Sequence, residues 1–422
     1  MKSTSPKIHP GWIAVAVTFM TLMATAGFRS APSVLIVPLE DAFGWSRSDI
    51  SLAVAINVLV FGLMSPFAAA LMEKFGMRRV VMTALVTISL GAFLTMFIQA
   101  PWQLIATWGF IVGAGTGSMG LVFAATVANR WFVAKRGLVT GLLTSATATG
   151  QLVFLPGLSH LAETYSWKSV SITVSSFAML VVPFIYFLLR ENPSDVGLLP
   201  YGANSDWQAP IKSELSAGAL AIDTLKKSSR NKDFWYLYGS FFVCGLSTSG
   251  LMGTHLIPAA HDHGMQTTVA ASMLALIGVF DVIGTLFSGW LTDRYDPRKL
   301  LFFYFGTRGL SLFLLPSILF SSIHPSTLIF IIFYGLDWVA TVPPTIMLCR
   351  AILGPQRASI VYGWVFTGHQ IGGAIAAFGA AVLRVKLGDY AVAFYISGAM
   401  CIITSYFVLK IAKNVPDSQI RV

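Results

Sequence analysis

The chain has 422 residues, of which 55% are hydrophobic and 11% charged, with a mean hydropathy of +0.72. A soluble globular protein carries about 25% charged residues, so a cytosolic enzyme, a secreted domain and a disordered chain are excluded in favour of a polytopic membrane protein. The net charge of +10 then belongs to cationic loops and not to a nucleic-acid partner.

A helix needs about 20 apolar residues to cross the hydrocarbon. Reading in chain order between charge clusters and turn signals gives twelve expected spans: 11–38, 49–72, 80–99, 102–127, 137–160, 168–189, 234–259, 267–291, 300–320, 326–349, 358–383 and 389–410. The first run extends to Pro38 without a small-residue cleavage site, so it reads as a retained span. Glycines at 113, 115, 117 and 120 in the fourth span, and at 137, 141 and 150 in the fifth, suit close helix contact. The polar stretch 190–233 divides the spans six and six. The expected organisation is a bundle over 1–189, a linker over 190–233 and a bundle over 234–422.

Most of the 28 Lys and Arg fall on one side of this arrangement. The opposite side holds Arg47, Lys168, Arg384 and Lys386, while Arg29 and Arg308 lie inside spans. The positive-inside rule then makes both termini and the linker cytoplasmic, in an inner or plasma membrane. Cys244, Cys349 and Cys401 each lie in an apolar run and read as small buried hydrophobes. No Walker-type loop, cofactor motif, metal-ligand set or nucleophile–base spacing is present. An enzyme is not expected, nor is a cofactor or a structural metal.

The halves match at an offset of 220 residues: Pro38 with Pro258, Glu73 with Asp293, Arg78 with Arg298, and Arg130 with Arg350. The clearest copies follow the second span of each half. One reads Ala69-Ala-Leu-Met-Glu73-Lys74-Phe-Gly76-Met-Arg78, the other Gly289-Trp-Leu-Thr-Asp293-Arg294-Tyr-Asp296-Pro-Arg298. These loops resemble the signature loop of the major facilitator superfamily, Gly-x-Leu-Ala-Asp-Arg-x-Gly-Arg-Arg. The first copy departs at Ala69 and Glu73, and the second has Asp296 where the later Gly stands. The resemblance implies an all-α membrane protein, with twelve transmembrane helices in two pseudo-symmetric six-helix bundles. It also implies alternating access around a midplane site. Glu73, Arg78, Asp293, Arg294 and Arg298 are the expected gating-loop residues; a topology signal is the alternative.

Ionisable groups inside spans are costly and face a cavity or a partner. Counting rise from the nearest turns sets Asp281, Arg308, Asp337 and His369 in one layer near the midplane. Asp281, Asp337 and Arg308 are candidates for proton coupling; a buried ion pair made by Arg308 with either acid is the alternative. His369 either binds substrate or packs between helices. Arg29 either binds a substrate carboxylate through its planar fork or snorkels to the headgroups. Asn57, Gln151, Tyr334 and Trp338 complete the candidate substrate site, with His255 and Gln370 as further cavity candidates. His261, Asp262 and His263 share a loop that lacks a matching metal-ligand set.

Phe43-Gly44-Trp45-Ser46-Arg47, Gly253-Thr254-His255-Leu256-Ile257-Pro258 and Gly363 to Gln370 resemble the monocarboxylate porter and oxalate/formate antiporter-like branch. Val279-Phe280-Asp281-Val282 is similar to that branch's eighth-span motif, which pairs the Asp with an Arg one turn later. Thr285 stands there instead, and Arg308 is a candidate replacement cation. The resulting expectation is proton-coupled secondary transport of a small organic anion, a monocarboxylate, by a monomer. Its partners are the substrate, protons and the lipid bilayer. The alternative is proton-driven efflux of cationic or amphipathic compounds. A receptor on the same scaffold would need a larger signalling appendage.

Overall fold

The computed structural model describes residues 9–412 except 46, 205–206, 208–213 and 266. Within helices, the side chains of residues 29–30, 32–34, 36–37, 40, 47–49, 51, 151–152, 155–156, 159, 163, 267–268 and 271 also lie outside the described set. The described chain is almost wholly helical. Its one bridge between extended residues joins Phe132 to Tyr201.

The first half contributes α1 (Pro10–Phe43), α2 (Arg47–Phe75), α3 (Met77–Thr95), α4 (Pro101–Trp131), α5 (Arg136–Thr164) and α6 (Trp167–Leu188). A shorter helix, α7 (Ala217–Ser228), lies in the linker. The second half contributes α8 (Lys232–Asp262), α9 (Thr267–Thr292), α10 (Pro297–Ile318), α11 (Pro325–Leu353), α12 (Ala358–Leu387) and α13 (Ala391–Val408). Among the described residues, 11 helices are long and apolar enough to cross a membrane. The remaining expected span, 137–160, falls on α5, where several side chains lie outside the described set.

The apolar core forms two clusters. One draws only on residues between Ala14 and Leu189; the other draws mainly on residues between Ala217 and Ile411. Glycine lets the packed helices approach. A Cβ on Gly117 would stand 2.7 Å from the Phe61 carbonyl oxygen, so α4 lies directly on α2.

Three spans are not regular helices. α4 carries π-helical turns over Ile105–Val112 and breaks at 118–120. α8 carries π-helical turns over Leu246–Met252. α11 breaks at 338–341, between segments Pro325–Asp337 and Val342–Leu353. Such interruptions free backbone groups that must find partners away from water.

Among the described residues, the halves meet closely toward the end where the linker runs, called here the linker side. There Phe61 meets Phe366 edge-on at 5.4 Å, and Thr367 Oγ1 donates to the Gly62 carbonyl at 2.9 Å. A Cβ on Gly141 would lie 2.6 Å from the Thr285 carbonyl oxygen and 3.0 Å from Gly289 Cα, so α5 and α9 touch backbone to backbone.

The polar stretch 190–233 is not irregular throughout: α7 folds within it. Ser216 caps its start by accepting from the Ala219 amide at 3.3 Å. Its Ala217, Leu220, Ala221, Thr224 and Ser228 are buried, a single helical face. Trp364 Nε1 donates to the Ala221 carbonyl at 3.0 Å, and Asp223 accepts from Arg357 and from Lys227, the latter at 2.9 Å. α7 thus straps the linker-side seam between α2 and α12.

The Arg357 and Lys227 contacts hold the Asp223 carboxyl below its ordinary value. A depressed carboxyl stabilises the docked state above about pH 4, and that contribution is lost as pH falls through the lowered value. Amide-exchange protection of α7 is therefore expected to drop at strongly acid pH. Asp223→Asn is expected to lower it already at pH 7; equal protection in both proteins would refute the strap.

Candidate functional site

A cavity of about 530 Å³ lies between the halves. It is lined from α4 and α5 by Leu121, Thr147 and Ala148, and from α8 by Phe241, Cys244, Thr248, Ser249, Gly253 and Ile257. α9 adds Leu274 and Asp281, α11 adds Trp338, Val339 and Val342, and α12 adds Phe366, His369 and Gln370. Asp281 is the one Asp, Glu, Lys or Arg among the described lining residues. The contacts at Phe61–Phe366 and Gly141–Gly289 close the space toward the linker side.

The break in α11 supplies the site's geometry. An interrupted helix strands carbonyls before the break and amides after it. Arg308 on α10 takes the carbonyls: its Nη2 donates to the Asp337 oxygen at 2.6 Å and the Trp338 oxygen at 3.1 Å. Its Nε donates to Asp337 Oδ2 at 2.6 Å, and Nη1 reaches Cys244 Sγ at 3.2 Å and Ser247 Oγ at 3.4 Å. Asp281 takes an amide: Oδ1 accepts from Val339 N at 3.0 Å and from Thr285 Oγ1 at 2.9 Å. Asp281 Oδ2 has no hydrogen bond among the described residues.

Arg308 is 1% exposed, and all of its bonds go to Asp337, Cys244, Ser247 and the Trp338 carbonyl. It therefore makes the buried pair with Asp337, and among the described residues it forms no hydrogen bond with Asp281. Neither Arg308 nor Asp337 lines the cavity. Thr285 fills the position one turn after Asp281 with a hydroxyl donor. Cys244, read from sequence as a packing residue, both lines the cavity and contacts Arg308.

Two candidates hydrogen-bond to backbone carbonyls. Asn57 Nδ2 donates to the Trp108 carbonyl at 2.7 Å, and Tyr334 Oη donates to the Ser247 carbonyl at 2.9 Å. Both carbonyls belong to π-helical turns, whose loosened ladder needs outside donors. Neither residue lines the cavity. Trp338, His369 and Gln370 do. His369 stacks on Phe366 at 5.6 Å and lies 5.2 Å from Phe241. The Arg29 backbone is in α1 and that of Gln151 in α5, but both side chains lie outside the described residues. His255 Nε2 pairs with the Ala377 carbonyl at 2.8 Å, and Asp262 with Arg384 at 3.1 Å.

The two signature-like loops differ. Asp293, at the end of α9, accepts from Gly137 N at 2.6 Å and Leu138 N at 2.8 Å, capping α5 across the halves. Burial pushes its carboxyl above the usual range against the pull of those amides. Glu73 instead stays in the first half, 3.2 Å from Arg130. Asp296 caps α10 by accepting from Arg298 N at 3.0 Å, and the Arg298 side chain ties this carboxylate to the Ile411 carbonyl. Where the first loop has Gly76, the capping carboxylate comes from Glu191, which accepts from Met77 N at 2.7 Å and Arg78 N at 2.9 Å. A Cβ on Gly76 would lie 2.6 Å from that carboxylate, and Gly76 has φ 90°, so glycine suits on both counts. Glu191 is not among the residues that the sequence pattern points to. The Arg78 guanidinium lies over the Tyr186 ring at 4.9 Å, and Arg294 lies over Trp290 at 4.1 Å.

The profile of the Major Facilitator Superfamily matches residues 17–377. The chain belongs to that superfamily. Among superfamily relatives, monocarboxylate transporter 13 of Rattus norvegicus is 26% identical over 393 residues, covering 92% of this chain and 86% of the relative. The MFS-type transporter YcxA of Bacillus subtilis is 25% identical over 392 residues, covering 89% and 88%. The fold is similar to that of the fucose:proton symporter of E. coli, with TM-score 0.72, 17% identity and coverage of 96% and 100%. It is also similar to that of the human organic anion transporter MFSD10, with TM-score 0.71, 13% identity and coverage of 96% and 100%. The twelve-span, two-bundle architecture expected from the superfamily's signature loops is the architecture of this chain. It is a membrane transporter and not an enzyme.

Proposed function

We propose that this chain moves an organic monoanion together with a proton by alternating access. Residues 1–189 and 234–422 rock about the linker as a monomer, in an inner or plasma membrane with the linker side cytoplasmic. The observation that carries the proposal is Asp281: one oxygen is held by Thr285 and Val339, the other has no hydrogen bond among the described residues, and it stands beside a cavity whose described lining has no other charge. An ionised Asp281 repels an anionic ligand. A protonated one is neutral and offers a donor to the ligand's carboxylate. Binding of anion and proton is then mutually favourable, which is the linkage a symporter requires. Relatives named monocarboxylate transporters support the anion. Arg29 on α1 is the proposed second contact for the carboxylate. Asp293 serves as a latch between the halves that must part when the linker side opens.

A second reading, proton-driven efflux of cations, rests on the same carboxylate beside aromatic rings. Proteoliposomes containing the purified chain separate the two. Monocarboxylate uptake that rises with an inward proton gradient and collapses with a protonophore is the expected result. Movement of tetraphenylphosphonium with no acid transported would overturn it.

A further inference from the structure

We infer that the cavity selects aromatic or similarly bulky apolar monocarboxylates over three-carbon acids and over sugars; this rests on the anion reading above. The first ground is size. A cavity of about 530 Å³ is of the volume that holds ligands of many heavy atoms, and a three-carbon acid leaves most of it to water.

The second ground is the chemistry of the walls. Thr248 Oγ1 donates to the Cys244 carbonyl at 2.6 Å, and Thr147 Oγ1 donates to the Thr144 carbonyl at 2.9 Å. These hydroxyl hydrogens are spent inside their own helices. A polyhydroxylated ligand would be stripped of water and find neither of these hydrogens in return. A dicarboxylate would bring a second charge to a described lining that holds only Asp281.

The third ground is the adjacency of the polar end to the rings. Val339, whose amide holds Asp281, directly follows Trp338. Asp281 and Trp338 both line the cavity, so a carboxylate held at Asp281 shares that space with the indole. That indole is fixed from behind by Tyr334, edge-on at 5.6 Å, and Tyr334 is fixed in turn by its bond to the Ser247 carbonyl. On the α8 and α12 walls, Phe241, Phe366 and His369 form a ring cluster. A flat ring meets preset faces and needs little rearrangement to stack.

The test is uptake kinetics in proteoliposomes under an inward proton gradient, with passive entry in protein-free vesicles subtracted. Phenylacetate, benzoate and indole-3-acetate are compared with lactate and pyruvate. The expected KM for the aryl acids is lower than that for lactate by about tenfold, the factor one good ring contact supplies. Trp338→Ala is expected to bring the ratio of the two KM values toward one, and Trp338→Phe to keep it. Benzoate is expected to raise the melting temperature of the purified chain, and to raise that of Trp338→Ala less. Equal KM values for lactate and the aryl acids would overturn this inference while leaving the anion reading standing. So would an unchanged ratio in folded Trp338→Ala. Failure of every acid to respond to the gradient would remove both.

Discussion

Asp281→Asn is expected to abolish net proton-driven uptake, down to the level of protein-free vesicles, while exchange of labelled for unlabelled substrate continues. Asparagine keeps an oxygen to accept from Thr285 Oγ1 and Val339 N, so the clasp on the broken α11 survives. It also presents a permanently neutral group to the cavity, the state proposed to bind the anion. A protein fixed in that state binds substrate without waiting for a proton and has no proton to release afterwards. Uptake driven by pH fails, and exchange between two loaded forms does not. Asp281→Leu, which removes the acceptor, is expected to lose both. Wild-type pH dependence of net uptake in Asp281→Asn would show that the coupling site lies elsewhere.

Removal of Arg308 is expected to be the most damaging single change to stability. In Arg308→Leu, Asp337 must bear an unpaired charge or take up a proton in a buried site, the Trp338 carbonyl loses its donor, and the Asp337 carbonyl keeps only the Ala340 amide. Breaking a buried pair by deleting one partner costs about 3–5 kcal/mol. Replacing both partners together is milder, because no charge is left uncompensated. The melting temperature in detergent is thus expected to fall steeply for Arg308→Leu and to recover in part when Asp337→Leu is added. Arg308→Lys is expected to resemble Arg308→Leu more than wild type, since one ammonium cannot reach the carboxylate, the two carbonyls, Cys244 and Ser247 at once. A double variant no more stable than the single one would refute the pair as the origin of the effect.

What could be read in the sequence was what repeats or what is expensive. Long apolar runs, the bias of Lys and Arg, and loops recurring at one offset each leave a local mark. Asp281, Arg308 and Asp337 were visible because charge inside an apolar run demands a reason. Their partnering was not. Arg308 is about equally far from the flanking turns as either acid, and only the break in α11 decides that it faces Asp337. The π-helical turns left no mark at all, so Asn57 and Tyr334 read as free polar groups when each is committed to a carbonyl 51 and 87 residues away. Glu191 was hidden for the same reason: it caps a helix that begins 114 residues earlier. In the second loop Asp296 stands where the signature has glycine. It marks a helix that supplies its own cap.

The attachment of the linker bears on how the molecule can be divided. Glu191 holds the start of α3, and Tyr201 exchanges backbone bonds with Trp131 and Val133. Residues 190–201 are therefore stitched to the first half, while α7 is docked across the seam. Severing the gene after Leu189 would take away a cap and an edge contact from the first product. Severing it among residues 205–213 would leave each product with its own ends closed. Two polypeptides made separately from that junction are the pair expected to find each other and restore transport.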